Sequence, residues 1–288
     1  MKLSLNLLKQ YLPELDNDEV DQIAEKMSIA LTEVEEISEI AKDIQDIVAG
    51  EIVEIEKKPE LKKLKYVKVD IDSETLEILC GADNIKVGNM VPVCKPGGSV
   101  YDPSKNDGSV VKIESRKIEG IKSNGMICSP KELGIGEDHS GIFILPDNIK
   151  KGEDIRAILY DSVIEIENKS LTHRADCFSH IGIAREIAAQ NNFKFVDPEP
   201  IKEPIQTSEK PLEAELTNST SCFRYSLVAI SDVKVMESPL WLQARLIAAG
   251  MRPINNIVDI TNYLMLEFGQ PSHAYDYDHI NGHKLTLR

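Results

Sequence analysis

The sequence predicts an α+β protein of several domains, in which a small β-barrel is inserted into an α/β unit and a further α/β module follows. Three observations lead to this prediction. The chain has 288 residues, more than a single hydrophobic core usually serves. Residues 41–151 form short strand-like runs separated by Gly, Asn, Asp and Pro, which is typical of barrels and sandwiches. The segments on both sides combine helical and strand-like periodicity instead.

Residues 1–40 and 152–192 are predicted to form one split α/β domain around the barrel. A helix should begin near Asn17, a residue type that caps helices, and IALTEVEEI then alternates like a strand. SVIEIEN alternates in the same way, and a second helix should follow Asp176. The residues expected on the buried faces of these two helices are Val20, Ile23, Ala24, Met27, Ile181, Ala184, Ile187 and Ala188.

Residues 193–215 contain four prolines and many charges and are predicted to be a linker. A third module is expected over residues 216–288, starting with the strand CFRYSLVAISDV. Ser238-Pro239 should begin a helix that ends at Gly250. A second helix, NNIVDITNYLMLEF, should bury Ile257, Thr261, Leu264, Met265 and Phe268. The last run, KLTLR, alternates like a strand without a partner, so the sequence is expected to be a fragment of a longer chain.

The composition is that of an ordinary folded protein, with 42% hydrophobic and 28% charged residues. No apolar run approaches the roughly 18 residues that a membrane span needs, and the N-terminus lacks the pattern of a signal peptide. The five cysteines are widely spaced and form no CxxC pair. Neither a disulfide framework nor a metal site is therefore predicted in this segment, and a reducing, cytoplasmic environment is expected.

The net charge of −15 excludes a protein that grips nucleic acid over its whole surface, because neutralising phosphates requires Lys and Arg. Any RNA contact should be local. The segment Lys57–Lys68 holds six lysines against one glutamate. A lysine-protected strand edge is the alternative explanation, and the sequence leaves it open. The candidate RNA-binding residues are Lys57, Lys58, Lys62, Lys63, Lys65, Arg116 and Lys117.

Polar groups are dense between residues 252 and 276. Helix capping and turn formation explain about half of them. They explain Arg252 and His273 least well, because each lies at a helix boundary where a ligand can approach. Glu267 lies near a helix C-terminus, where an anion is disfavoured, and a cation such as Arg252 is the expected partner.

Three blocks in order resemble one family. GEIVEIEK, LKYVKVDID, LEILCGADNIKVGNMVPV and SNGMICSPKELGI look like the oligonucleotide-binding (OB) fold of bacterial tRNA-binding modules. SLTHRADCFSHIGIAREIAA is similar to the segment that follows this module in the β subunit of bacterial phenylalanyl-tRNA synthetases. RPINNIVDITNYLMLEFGQPSHAYD resembles the opening of the editing domain of that subunit, of the B3/B4 type. The sequence is thereby identified as similar to the N-terminal part of this family, ending inside the editing domain.

The resemblance implies a subunit of a ligase that charges tRNA(Phe) with phenylalanine, using ATP and Mg²⁺, in an (αβ)₂ heterotetramer with a synthetase α subunit. It places the synthetic chemistry outside this segment, so neither ATP nor Mg²⁺ is expected to bind here. It also implies that Arg252 and His273 line the editing pocket. A non-catalytic tRNA-binding module and a free-standing editing hydrolase remain as alternatives.

Overall fold

The computed structural model describes residues 1–105, 107–199, 210–217 and 222–288, which form a mixed α/β architecture with several sheets. The strands are β1 (Lys2–Ser4), β2 (Val34–Ile40), β3 (Gln45–Glu56), β4 (Lys65–Asp70), β5 (Thr75–Cys80), β6 (Met90–Tyr101), β7 (Val110–Lys112), β8 (Arg116–Ile118), β9 (Ile121–Ser123), β10 (Met126–Ile127), β11 (Asp161–Ile166), β12 (Glu213–Leu216) and β13 (Lys284–Leu287). The α-helices are α1 (Leu5–Leu8), α2 (Val20–Ala30), α3 (Ile155–Leu159), α4 (His180–Asn191), α5 (Leu240–Ala248) and α6 (Asn256–Phe268). Short 3-10 helices cover Asn17–Glu19, Asn168–Leu171, Ala175–Cys177, Tyr277–His279 and Asn281–His283.

The first unit, called here the N-terminal unit, is an antiparallel sheet in the order β1-β11-β2 with α1, α2 and α4 packed on it. Strand β11 lies in the middle, so Ile164 pairs with Leu3 on one side and with Ile37 on the other. Segments from both sides of the central part of the chain therefore share one hydrophobic core. The predicted buried faces of α2 and α4 are confirmed at all eight positions: Val20, Ile23, Ala24, Met27, Ile181, Ala184, Ile187 and Ala188.

The predicted cap of α2 is wrong. Asn17 lies in a short 3-10 helix, and α2 begins at Val20. The Asn17 side-chain oxygen accepts a hydrogen bond from Lys9 Nζ at 2.7 Å. Glu19 stands at the cap position of α2 and makes no side-chain cap hydrogen bond.

The central sheet has the strand order β10-β6-β3-β4-β5, and β7 pairs with the far end of β6. Its neighbouring strands are antiparallel, and their apolar side chains enclose a second core. Packing is tight at Gly50 in β3, where a Cβ atom would lie 2.5 Å from Val69 Cγ1. The β8–β9 hairpin leans on β5, since the Leu79 N–H donates to Ser123 Oγ at 3.1 Å.

The third part departs from the sequence predictions. CFRYSLVAISDV is not a strand: residues 222–233 have no regular structure, and Phe223 is 91% exposed. An extended run needs a neighbouring strand to satisfy its backbone groups, and none of the described strands pairs with it. Strand β13 does have a partner, β12, which pairs with it in parallel. The predicted linker 193–215 therefore runs into β12 at Glu213, and its residues 200–209 lie outside the described residues.

Helix α5 was expected to start at Ser238 as its cap, but Pro239 holds that position. The Ser238 hydroxyl instead donates to Asp259 Oδ2 at 2.5 Å. Two α5 residues, Leu240 and Ala244, complete a third core between the central sheet and α3. Helix α5 therefore packs in one core with the central sheet and α3.

Helix α6 begins after the cap Asn255 and ends at Gly269 in the left-handed conformation, in agreement with the predicted helix NNIVDITNYLMLEF. Its predicted buried face is wrong. Leu264 and Phe268 are 37% and 42% exposed, and the predicted set Ile257, Thr261, Leu264, Met265 and Phe268 contains no fully buried member. The two buried residues are Asp259 and Glu267. Both accept hydrogen bonds from outside the helix, Asp259 from Ser238 and Glu267 from Tyr11.

Among the helices of the described residues, none is long and apolar enough to cross a membrane.

Candidate functional site

The loop of residues 57–64 between β3 and β4, called here the lysine loop, carries Lys57, Lys62 and Lys63, all exposed. It touches the turn of the β8–β9 hairpin, where the Lys62 backbone N–H donates to Glu119 Oε2 at 3.1 Å. The hairpin begins with Arg116 and Lys117, which are also exposed. The structure therefore brings the two predicted groups of cations together on one surface.

Three other lysines, Lys58 in the loop and Lys65 and Lys68 on β4, have local partners. Lys58 Nζ lies 3.5 Å from the centre of the Tyr66 ring, a cation–π contact. Lys65 Nζ donates to the Ala82 carbonyl and to Asp83, each at 2.9 Å, and this bond lowers the pKa of the Asp83 carboxyl.

Lys68 Nζ donates to Glu54 at 2.6 Å across the β3–β4 pair, and the Glu54 carboxylate raises the pKa of Lys68. Exposed ion pairs of this kind are screened by solvent and contribute little to stability. Their main effect is to neutralise part of the positive charge. The predicted RNA-binding residues Lys58 and Lys65 have such partners. They should therefore attract phosphate less strongly than Lys57, Lys62 and Lys63.

A groove of about 730 Å³ opens beside the lysine loop, and sequence reasoning missed it. Leu64 and Arg116 belong to its lining. At its floor, the Ser129 hydroxyl contacts Glu132 Oε2 at 2.8 Å and His139 Nδ1 at 2.9 Å. Glu132 also accepts from the Ser129 backbone N–H at 2.7 Å.

This Ser–Glu pairing is a capping box, in which each side chain bonds the other residue's backbone and holds the turn at 129–134. Both residues are buried, at 3% and 7% exposure for Ser129 and Glu132. The arrangement therefore shapes the groove and does not activate a nucleophile. The spacing Ser-Pro-Lys-Glu is the sequence signal that could have located it.

Arg252 and His273 flank opposite ends of α6. Arg252 is exposed on the loop between α5 and α6, and its charge helps to lower the pKa of Asp138 after the larger effect of the Ser140 hydrogen bonds. His273 is exposed on the loop after Gly269, with its ring centre 6.4 Å from that of Tyr275. Helix α6 has 13 residues, or about 20 Å at 1.5 Å per residue. The described residues contain no hydrogen bond or ion pair that links Arg252 to His273.

The partner of Glu267 is Tyr11 rather than the expected Arg252. The Tyr11 hydroxyl donates to Glu267 Oε1, in a buried contact between the N-terminal unit and the last turn of α6. Burial raises the pKa of the Glu267 carboxyl, and the Tyr11 hydrogen bond opposes this rise. Desolvation is therefore the larger of the two effects on this carboxyl.

A second buried contact is made by His180, the first residue of α4, which is 0% exposed. Its Nε2 accepts from the Ser4 backbone N–H at 3.0 Å, and its Nδ1 donates to the Leu266 carbonyl at 2.8 Å. These two bonds define one neutral tautomer, with the proton on Nδ1. Burial lowers the pKa of His180 to about 4.

The side-chain cluster of the described residues that could share an ion does not fit Mg²⁺. Within the described ranges, one group of three side chains is close enough to share an ion: Asp176, Cys177 and Glu186. Arg174 already donates to Asp176 at 2.7 Å and to Glu186 at 2.6 Å. A guanidinium that occupies both carboxylates opposes a cation, and a thiol is a poor ligand for Mg²⁺.

Comparisons with known proteins match family models to two segments of the chain. A family model for a tRNA binding domain matches residues 47–154, and one for the B3/4 domain matches residues 221–288. The phenylalanine–tRNA ligase β subunit of Fusobacterium nucleatum is 40% identical over 290 aligned positions, covering 100% of this chain and 35% of that protein. The β subunit of Desulfotalea psychrophila is 39% identical, covering 100% of this chain and 34% of that protein. The chain is therefore similar over its whole length to the N-terminal third of phenylalanine–tRNA ligase β subunits.

The chain spans about a third of the length of the curated relatives it matches. The lysine loop, the β8–β9 hairpin and the groove all fall inside the matched tRNA binding domain. Arg252 and His273 fall inside the matched B3/4 domain. Neither match assigns a role to individual residues, so the site residues of both parts stay predictions.

Proposed function

We propose that the chain is part of the β subunit of a phenylalanine–tRNA ligase. The whole enzyme would join phenylalanine to tRNA(Phe) with ATP and Mg²⁺, as an (αβ)₂ assembly with a synthetase α subunit in the cytoplasm. The observation that carries this proposal is the 40% identity to a β subunit over the full length of the chain. Similarity that continues through both matched domains favours a ligase subunit over a lone tRNA-binding module or a free-standing hydrolase.

We propose the following division of the chain: a split N-terminal domain of residues 1–40 and 152–192, an OB-fold domain of residues 41–151, a linker of residues 193–215, and part of an editing module over residues 216–288. The antiparallel order β10-β6-β3-β4-β5 supports the OB-fold assignment, because OB folds are small five-stranded barrels that bind oligonucleotides on one face. Strand β12 begins at Glu213 and pairs with β13, so the last residues of this linker contact the editing module.

RNA binding is proposed for the surface formed by the lysine loop and the β8–β9 hairpin. Five exposed cations lie there: Lys57, Lys62, Lys63, Arg116 and Lys117. The chain as a whole is acidic, with a net charge of −15, so the surface outside this cluster repels RNA. Changing Lys57, Lys62 and Lys63 to Ala should weaken tRNA binding and reduce the slope of log K against log salt by about 2 to 3, because three phosphate contacts are lost.

The measurement is tRNA binding by the complete ligase between low and moderate salt. A matched control changes Lys26, Lys150 and Lys169 to Ala, three exposed lysines on other surfaces. The control has the same net charge as the test variant, so a general electrostatic effect would appear in both. Equal binding by the wild type and the test variant at every salt concentration would show that the lysines only protect a strand edge.

Editing is proposed for the module that contains Arg252 and His273. A phenylalanine pocket rejects the added hydroxyl of tyrosine by only about 10²-fold, so a hydrolytic site is needed for higher accuracy. The guanidinium of Arg252 suits the phosphate or ribose of the tRNA end. The imidazole of His273 suits the orientation of the ester or of the attacking water. Their exposure on loops at both ends of α6 leaves them accessible to a substrate.

The test is deacylation of preformed tyrosyl-tRNA by the complete ligase. Arg252→Ala should weaken binding of the tRNA end, and His273→Ala should slow hydrolysis by about 10²-fold if His273 is a general base. Phenylalanine charging should stay nearly intact in both variants. His279→Ala is the control, since His279 is also exposed and lies six positions further along the chain. Wild-type deacylation by both test variants would show that Arg252 and His273 are structural.

A further inference from the structure

The two ends of α6 are held by different parts of the protein. Near the first turn, the buried Asp259 accepts from Ser238 Oγ at 2.5 Å and from the Ile254 backbone N–H at 2.8 Å. Both donors lie close to α6 in sequence, so the N-terminal end and the Arg252 loop are fixed within their own module. The C-terminal end is fixed by residues from the N-terminal unit, more than 80 positions away.

Three contacts form this C-terminal attachment, called here the α6 anchor. Tyr11 donates to Glu267, and His180 donates to the Leu266 carbonyl at 2.8 Å. The third is a close approach at Gly269, where a Cβ atom would lie 3.1 Å from both the Phe178 carbonyl oxygen and Ser179 Cβ.

The hydrogen bonds of the anchor hold the C-terminal end of α6 in one orientation. The last four carbonyls of a helix lack partners within it, and the Leu266 carbonyl is one of these because α6 ends at Phe268. Its donor, His180, is held by the Ser4 N–H on the opposite ring nitrogen. The imidazole thus connects β1 to the end of α6 with both nitrogens bonded and no freedom to rotate.

The chain leaves the anchor at Gly269 and reaches His273 four residues later. The geometry points to a role for the anchor in editing: we propose that Tyr11 and His180 are positioning residues, which set the place of His273 through the C-terminal end of α6. This inference rests on the proposed function, because it requires His273 to act in hydrolysis. It gives the N-terminal unit a part in editing, although that unit contains none of the residues proposed to touch the substrate.

The experiment uses the complete ligase and two readouts. Hydrogen exchange of residues 256–268 reports whether the end of α6 is held. Single-turnover deacylation of tyrosyl-tRNA, measured over a range of enzyme concentrations, separates the rate of hydrolysis from the affinity for the tRNA. Tyr11→Phe removes only the hydroxyl, and His180→Leu removes both hydrogen bonds at a similar size.

Both variants should exchange faster in α6 and should hydrolyse about tenfold or more slowly at saturating enzyme, because small misplacements of a reacting group are costly. The enzyme concentration for half-maximal rate should stay within about twofold. His180→Gln should restore both readouts, since an amide can accept from Ser4 and donate to Leu266. Loss of stability alone would not produce this split between rate and affinity.

A matched control is Tyr160→Phe. Tyr160 donates to Glu39 at 2.7 Å within the N-terminal unit, so this variant also loses a tyrosine–glutamate hydrogen bond but leaves α6 untouched. If His180→Leu does not fold, Tyr11→Phe decides. Wild-type exchange and hydrolysis in Tyr11→Phe, with slow hydrolysis in His273→Ala, would overturn the positioning role alone. Wild-type hydrolysis in Arg252→Ala and His273→Ala would overturn the proposed editing function, and the positioning role with it.

Discussion

Lowering the pH should destabilise this protein through His180. The imidazole is 0% exposed and its Nε2 accepts from the Ser4 N–H, so a proton on Nε2 would break this bond and place a charge in the core. Burial lowers the pKa of His180 from 6.5 to about 4. Between these two values the unfolded chain binds a proton that the native protein does not bind, and the free energy of unfolding therefore falls as the pH falls.

The size of the effect follows from the two pKa values. With 6.5 in the unfolded chain and about 4 in the native protein, proton linkage gives a loss of about 2 kcal/mol between pH 7 and pH 5. The loss should begin below pH 7 and level off near pH 4, where the native imidazole also binds a proton. Two buried carboxyls act in the opposite direction, because burial raises the pKa of Asp161 and Glu267.

The assay is urea unfolding at pH 7, 6 and 5 for the wild type and for His180→Gln, which keeps hydrogen-bonding groups but does not titrate. The two carboxyls are common to both proteins, so the difference between the two pH profiles isolates His180. We expect the wild type to lose about 2 kcal/mol more than the variant between pH 7 and pH 5. Parallel profiles would refute the reasoning, because they would mean that His180 is not kept neutral by the fold.

Two further substitutions test a buried hydrogen bond and the packing of the central sheet. Asp259→Ala should lower the free energy of unfolding by about 2–3 kcal/mol, because Ser238 Oγ is left buried without its acceptor; denaturant unfolding measures this. Gly50→Ala should cost about 1–3 kcal/mol through overpacking against Val69, whose Cγ1 would lie 2.5 Å from the new Cβ. Gly136→Ala is its control, because a Cβ there would meet its nearest atom at an ordinary 3.6 Å. Equal stability of the two alanine variants would contradict the packing argument at Gly50.

Local periodicity predicted the buried face correctly where a helix or strand packs its apolar side chains against the core of its own unit. Helix α4 shows this, since Ile181, Ala184 and Ile187 recur at helical spacing and are all buried. Strand β11 was predicted from its alternation and forms the middle of its sheet. In both elements the hydrophobic pattern and the tertiary contacts select the same face, so the pattern alone gives the correct answer.

Periodicity failed on α6, where the covered side chains are polar and their partners lie outside the helix. On α6 the apolar stripe predicted the buried face, but Leu264 and Phe268 are exposed while Asp259 is covered. Hydrogen bonds from Ser238 and Tyr11 select that face. A pattern within one segment contains no information about a donor that arrives from another part of the chain.

The sequence predicted where the positive charges of the candidate RNA surface cluster. It did not predict which of these charges are neutralised by carboxylate partners. Counting lysines located the segment 57–68, whereas the structure separates Lys57, Lys62 and Lys63 from Lys65 and Lys68, which have carboxylate partners. Strand pairing explains the separation at Lys68: β3 places Glu54 directly opposite it, and cross-strand neighbours lie within reach of a salt bridge. Lys62 and Lys63 lie in a loop, where no opposite strand supplies an acid.

His180 and Glu267 each make a hydrogen bond between the N-terminal unit and α6. A histidine at the start of an apolar helical face and a glutamate at a helix C-terminus each conflict with a local rule. The conflict at Glu267 was visible, and the partner first considered for it was Arg252. Its true partner, Tyr11, lies 256 positions away. Local conflicts of this kind tend to be kept where a second part of the protein requires them, and here both of them join the N-terminal unit to the helix that leads to His273.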